Sequence, residues 1–258
     1  SRNSFIIATI FFTFQLYYDF SGYSDIAVGL ARILGIKLMQ NFKRPFFAET
    51  VSELWKRWHI SLTSWFKEYL YMPLVRRVYV RRKKCLFPFI YLNLFIVFLL
   101  SGLWHGANWT FIVWGGLHGF YLIFGHITSG VRKKIVSKIG LLHVPKIYRF
   151  IRIITVFILF NLAVIFFRAN SLSDAYYIMS HLFVRDNVLL DPLLRMDKFM
   201  FLYCLTIIFL VEFIQLYYLK IEQFLATRKV MRKLFYLFVV LFLLIFGVFD
   251  NIQFIYFH

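Results

Sequence analysis

The chain has 258 residues, 61% hydrophobic and 22% aromatic, with 30 Lys and Arg against 12 Asp and Glu, a net charge of +18. A soluble domain is nearer half apolar, and the mean hydropathy of +0.71 excludes that class. The positive charge lies in short loops between apolar runs, the positive-inside pattern, and argues against nucleic acid as a partner. The two cysteines, Cys85 and Cys204, lie in or beside apolar runs, so neither a disulfide framework nor a thiolate metal site is implied.

A membrane-spanning helix needs about 20 apolar residues, and seven spans are read roughly at 5–20, 22–38, 85–103, 107–127, 150–168, 198–219 and 233–250. The first begins almost at once, without the basic region and cleavage site of a signal peptide. With Ser1 in place of a methionine, the chain is expected to be part of a longer protein. The second span is broken by polar residues and crosses only in part or lies within the bundle. Between them runs Tyr17-Tyr18-Asp19-Phe20-Ser21-Gly22-Tyr23-Ser24-Asp25. Asp19 or Asp25 is expected to cap the following helix; two acids with this many hydroxyls also fit the lining of a polar cavity.

The segment 50–72 differs in kind. Thr50-Val51-Ser52-Glu53 is a capping-box pattern, and Pro73 stands near the expected end. Val51, Leu54, Trp55, Trp58, Leu62, Trp65, Phe66 and Tyr69 form one stripe at helical spacing. One amphipathic helix is expected, lying at the cytoplasmic interface or packed into the bundle. His59 falls on the flank of the stripe beside Ser52 and Thr63, where an ordinary interfacial histidine is the plainer reading.

From Cys85 to Val131 there are 47 residues without Asp, Glu, Lys or Arg, which reads as two spans joined by a tight connection around Trp104-His105-Gly106-Ala107-Asn108-Trp109. An ionisable residue at membrane depth is by default a functional candidate; the alternative for His105 is a residue of the interface, where tryptophan is common. Gly102 with Gly106, and Gly115 with Gly119, have the spacing that lets membrane helices approach closely. His118 reads as a polar contact between helices, and Arg168 as a snorkelling side chain. His126, His143, His181 and His258 carry no expected chemistry. Ser171-Leu172-Ser173-Asp174 opens a short amphipathic helix.

The loops at 75–84, 128–149 and 220–233 are basic, and 169–197 holds four aspartates against two arginines. Alternation of the spans places the three basic loops in the cytoplasm and the acidic one outside. His59 then belongs to a segment starting on the cytoplasmic side and His105 to a turn directed outward, with a tunnel expected between them. No phosphate-cradling loop, dinucleotide fingerprint or nucleophile elbow is present. A histidine near a hydroxyl remains a candidate general base.

Arg57-Trp58-His59-Ile60-Ser61-Leu62 with Trp65-Phe66-Lys67-Glu68-Tyr69-Leu70-Tyr71, followed by Ser101-Gly102-Leu103-Trp104-His105-Gly106-Ala107, resembles the two signatures of the membrane-bound O-acyltransferase family. Tyr18 to Asp25, Phe166-Phe167-Arg168-Ala169 and Phe254-Ile255-Tyr256-Phe257 resemble its alginate O-acetyltransferase branch. That branch has a glycine-rich basic turn where Val75-Arg76-Arg77-Val78-Tyr79 stands here. The resemblance covers essentially the whole chain, read as a single membrane-embedded domain, 1–258, and as the C-terminal half of a typical member. It implies an all-α integral membrane bundle with a central funnel or tunnel, closed by further N-terminal helices.

By resemblance His105 is the catalytic histidine, which deprotonates an acceptor hydroxyl that attacks an acyl thioester. His59 is the second functional position. Asp19, Asp25, Trp104 and Asn108 are carried as substrate-binding candidates. The implied activity is transfer of a short acyl group, foremost acetyl, to an envelope polysaccharide in the bacterial cytoplasmic membrane. No bound cofactor or metal is expected, and the donor, acyl-CoA or an acyl carrier, is a co-substrate. The implied partners are membrane lipid, the polymer and a periplasmic or extracellular acyltransferase protein. D-alanyl transfer to teichoic acid is the alternative within the family. A transporter using histidines for proton relay is the alternative outside it, although no internal repeat of the transporter kind is visible.

Overall fold

The computed structural model describes residues 2–81, 86–182 and 198–246. The chain forms two compact units, Ser1–Pro192 and Leu193–His258. No strand occurs among the described residues, and the fold is all-α. Among the described residues four helical stretches are long and apolar enough to cross a membrane: Leu86–His105, Trp109–Ile127, Pro145–Arg168 and Phe201–Tyr218.

The first unit opens with α1, Arg2–Ile33. The two spans expected at 5–20 and 22–38 are one continuous helix, about 48 Å long at 1.5 Å per residue. Asp19 and Asp25 therefore sit inside a helix, and neither caps one. The polar stretch stays helical because one face is buried: Thr13, Leu16, Tyr17, Ser21 and Ser24 are all shielded from solvent. Tertiary burial overrides the local turn chemistry of Ser and Gly.

After Gly35, whose φ of +76° ends the helix, the chain runs without regular structure to a 3-10 turn at Pro45–Phe47. It then forms α2, Val51–Trp55, and α3, Ile60–Trp65. A π-helical turn, Phe66–Tyr71, leads into α4, Met72–Arg81. The single amphipathic helix expected over 50–72 is thus broken at 56–59, and Pro73 lies within a helix that continues to 81. The start is as expected: the Glu53 amide donates to Thr50 Oγ1 at 3.0 Å, and the Glu49 amide to Glu53 Oε2 at 2.7 Å. The break is imposed from a distance, because the Lys43 amide donates to Arg57 O and the Ile60 amide to Asn41 O, each at 2.9 Å. Trp58, 4% exposed, is driven inward with the break. The segment packs into the bundle rather than lying at the interface.

An aromatic core holds it there. Tyr17 meets Phe42 and Phe46 at centroid distances of 5.6 and 5.1 Å, and Trp58 meets Phe42 and Phe160 at 5.1 Å each. Such edge and offset contacts add to the area each ring buries.

Helices α5, Leu86–His105, and α6, Trp109–Ile127, form the expected uncharged hairpin. A Cβ on Gly102 would collide with the Phe111 carbonyl, and one on Gly115 with the Phe98 carbonyl. One on Gly119 would lie 3.0 Å from the Phe95 ring. The small-residue spacing does bring these backbones together.

The basic stretch 128–149 contains α7, Ser129–Lys138, and leads into α8, Pro145–Arg168. Thr13 Oγ1 donates to Asn161 Oδ1 at 3.0 Å, tying α1 to α8 inside the core. Arg149 and Arg152 pair with Glu49 at 3.1 and 2.9 Å, fastening the 3-10 segment to the start of α8. Helix α9, Leu172–His181, is capped by Ser171 as expected, with the Asp174 amide donating to Oγ at 3.1 Å.

The second unit contributes α10, Lys198–Thr227, and α11, Lys229–Phe246. The span expected at 233–250 and the closing Phe254–Phe257 motif lie partly or wholly outside the described residues.

Candidate active site

His105 is the last residue of α5, at the tip of the hairpin. The turn needs only Gly106, Ala107 and Asn108 because Asn108 caps α6 at once, its Oδ1 accepting from the Thr110 amide at 3.1 Å. The Asn108 Nδ2 donates to Asn170 O at 2.9 Å, which ties the turn to the end of α8. The Asn108 amide is therefore engaged at both its ends in holding the turn.

The His105 ring is half-buried in an aromatic frame. It meets Trp104 at a centroid distance of 5.2 Å, and Trp114 and Phe167 at 5.1 Å each, all nearly edge-on. Phe167 in turn packs on Phe111 at 5.1 Å. Two motifs 62 residues apart in sequence, Trp104-His105 and Phe166-Phe167, thus form one wall.

His59 arrives from the opposite flank. It is the N-cap residue of α3, in the left-handed region with φ 42° and ψ 56°. Among the described residues only Arg44 shares a positive φ without being glycine. Left-handed backbone at such a residue costs of order 1–3 kcal/mol and is kept only where the surroundings enforce it. The His59 ring lies 4.6 Å from Phe20, edge-on, and 6.5 Å from Trp104. Ser61 Oγ stands 3.4 Å from its Nδ1. Burial lowers the His59 imidazole from 6.5 to about 4, because the charged form is the one that loses hydration. His59 is therefore uncharged at neutral pH.

The two histidines do not sit at opposite ends of a tunnel. Both flank Trp104, which is 56% exposed, at ring-centroid distances of 6.5 Å for His59 and 5.2 Å for His105. The expectation of separate cytoplasmic and outer histidines followed from treating 50–72 as an interfacial helix. The break at 56–59 lifts His59 into the bundle instead.

The remaining candidates divide. Asp19 is half-buried and precedes Phe20, the residue against His59; Asp25 is exposed. Six residues at 100° each set the two aspartates about 120° apart around α1, so they do not share a face. His118 is fully buried, and neither ring nitrogen has a hydrogen-bond partner among the described residues. It packs edge-on against Trp55 at 4.9 Å and Trp114 at 5.0 Å, so it joins helices through ring contacts rather than a hydrogen bond. Arg168 lies over the Phe12 ring at 5.6 Å.

Sequence reasoning passed over Phe20 and Asn41. Asn41 Oδ1 accepts from the Ser61 amide at 3.0 Å, and its Nδ2 lies 3.5 Å from Ser24 Oγ. An asparagine in an irregular stretch gives no sign of a partner 20 residues ahead.

The membrane-bound O-acyltransferase family, MBOAT, matches residues 2–169. Over 169 residues the chain is 41% identical to a probable alginate O-acetylase, AlgI, of Pseudomonas fluorescens, covering 66% of this chain and 31% of that one. It is 40% identical over 173 residues to a peptidoglycan O-acetyltransferase of Helicobacter pylori, covering 67% and 30%. It is 31% identical over 174 residues to a teichoic acid D-alanyltransferase of Streptococcus thermophilus, covering 64% and 41%. The chain spans about a third of the length of the first two relatives. The match contains α1 to α8 and every residue of the His59–Trp104–His105 cluster, and the chain belongs to the membrane-bound O-acyltransferase family.

Proposed function

We propose that the protein containing this chain is a membrane O-acyltransferase that moves an acetyl group from a thioester donor to hydroxyls of an envelope polysaccharide. The observation that carries the reading is the meeting of His59 and His105 across Trp104, from two sequence motifs more than 40 residues apart. The acetyltransferase relatives share more identity with the chain than the D-alanyltransferase of Streptococcus thermophilus does, which favours acetyl.

In the proposed step the neutral His105 imidazole takes the proton of the acceptor hydroxyl as its oxygen attacks the thioester carbonyl carbon. The new O–C bond forms, the C–S bond breaks, and the departing sulfur receives the proton from His105. His59, held between Phe20 and Trp104, is placed to orient a reactant by a hydrogen bond. The acyl donor is acyl-CoA or an acylated carrier.

The setting is the bacterial cytoplasmic membrane, with the hairpin tip toward the outer side. A periplasmic or extracellular acyltransferase protein is the partner that would hand acyl groups to a distant polymer. Mild alkaline release from the envelope polymers of cells with and without the intact gene tests the substrate. Loss of ester-linked acetate without it supports the reading. Loss of ester-linked D-alanine instead assigns the D-alanyl reaction, and no change in either refutes both.

A further inference from the structure

We propose that Asn41 is the positioning residue for His59: it caps α3 from outside the helix, so that the imidazole at the N-cap position is left for the reaction. The inference rests on the acyltransferase reading of the site.

A helix N-terminus presents amides without intrahelical acceptors, and the N-cap side chain ordinarily supplies one. In α2, α6 and α9 this is what happens, through Thr50, Asn108 and Ser171. In α3 the N-cap residue is His59, and its side chain makes no cap bond. The acceptors come from Asn41, 18 residues upstream. Its carbonyl oxygen takes the Ile60 amide at 2.9 Å, and its Oδ1 takes the Ser61 amide at 3.0 Å. The Lys43 amide donates to Arg57 O at 2.9 Å, so the chain is clasped on both sides of the left-handed residue. Asn41 itself is steadied against α1 by Ser24 Oγ, 3.5 Å from Nδ2. Ser24 lies one turn beyond Phe20, which packs edge-on against the His59 ring.

The consequence is geometric. A left-handed residue at a helix start relaxes unless its neighbours are held, and relaxation of φ at residue 59 would swing the imidazole away from Trp104. The clasp fixes both the backbone twist and the ring direction. A misplacement of about 1 Å costs on the order of 10²-fold in rate, so a residue that touches no substrate controls turnover.

The test is a double-mutant cycle in the full-length protein, read as ester-linked acetate on the exported polymer per unit of monodisperse, detergent-extracted protein. Asn41→Ala is expected to lower transfer about tenfold or more while the protein level holds. Asn41→Asp, which keeps an oxygen for the Ser61 amide, is expected to retain transfer within about threefold. Asn41→Ala combined with His59→Ala is expected to be no worse than His59→Ala alone, since residues that act as a unit are not additive. Should Asn41→Ala not yield folded protein, Asn41→Gln displaces the acceptor by one methylene and carries the same expectation. Normal transfer in Asn41→Ala (or in Asn41→Gln where it stands in), a loss in Asn41→Asp as large as in Asn41→Ala, or losses that multiply with that of His59→Ala, overturns the proposal. If His59→Ala is itself silent while His105→Ala abolishes transfer, the positioning role fails and the acyltransferase reading stands. If His105→Ala is also silent, that reading fails and the inference with it.

Discussion

At the scale of single residues, His59 shows how a side chain's character is set by where the backbone puts it. Its sequence neighbours, Lys56 and Arg57 among them, describe an interfacial residue, and only the left-handed turn imposed by Asn41 brings the ring against Phe20. Burial then holds the imidazole near 4, below its ordinary 6.5. A group lowered in the folded state contributes stability that is complete above its unfolded value and lost as pH falls through the folded one. His59 therefore makes the protein acid-labile between pH 6.5 and about 4, by roughly 2–3 kcal/mol. The thermal midpoint of the detergent-solubilised full-length protein, measured across that window, should fall more steeply for wild type than for His59→Gln. Equal slopes would show that residue 59 does not titrate from a buried state. Within this site Trp104, His105 and Phe167 stand in motifs that the sequence offered by resemblance, and the fold brings their rings together. Asn41 could not be read from the sequence, because its partners, the amides of Ile60 and Ser61, are backbone groups and leave no mark on side-chain pattern.

At the scale of elements, the readable features are those governed by local composition. The hairpin expected at 85–103 and 107–127 is found at Leu86–His105 and Trp109–Ile127, since the absence of charge over 47 residues is a property of the segment itself. The caps at Thr50 and Ser171 are local too. What escaped is set by long-range contact. Helix α1 runs through Asp19-Phe20-Ser21-Gly22 because Tyr17, Ser21 and Ser24 are buried against other elements. The helix expected over 50–72 breaks because residues 41–43 take its amides and carbonyls. The glycines of the hairpin provide an element-scale test. Gly115→Ala drives a Cβ into the Phe98 carbonyl, backbone that cannot step aside, and overpacking of this kind costs about 1–3 kcal/mol. Gly130→Ala, in α7 with nothing within 4 Å of the new carbon, should be neutral or stabilising by up to about 1 kcal/mol. Detergent thermal midpoints that rank these two variants the other way would contradict the packing described for α5 and α6.

At the scale of the whole molecule, charge and packing agree on which ends of the first unit belong together. Glu49 pairs with Arg149 and Arg152 at the start of α8, the end bearing the basic stretch 128–149. Phe5, near the start of α1, packs on Tyr177 and His181 of α9, beyond the other end of α8. Single cysteines placed on a background lacking Cys85 and Cys204 test the orientation. Ser173→Cys should label with an impermeant thiol reagent from outside intact cells, and Lys134→Cys only after permeabilisation; the reverse pattern would invert the topology. The central claim is that His105, framed by Trp104, Trp114 and Phe167, removes the proton from an acceptor hydroxyl. The direct measurement is the ester-linked acyl content of the exported polymer, together with the total polymer exported, in cells carrying His105→Ala in the full-length protein. Acylation should fall on the order of 10²–10⁴-fold with export and membrane insertion unchanged. Near-normal acylation would contradict the assignment, and loss of export itself would point to a transporter instead.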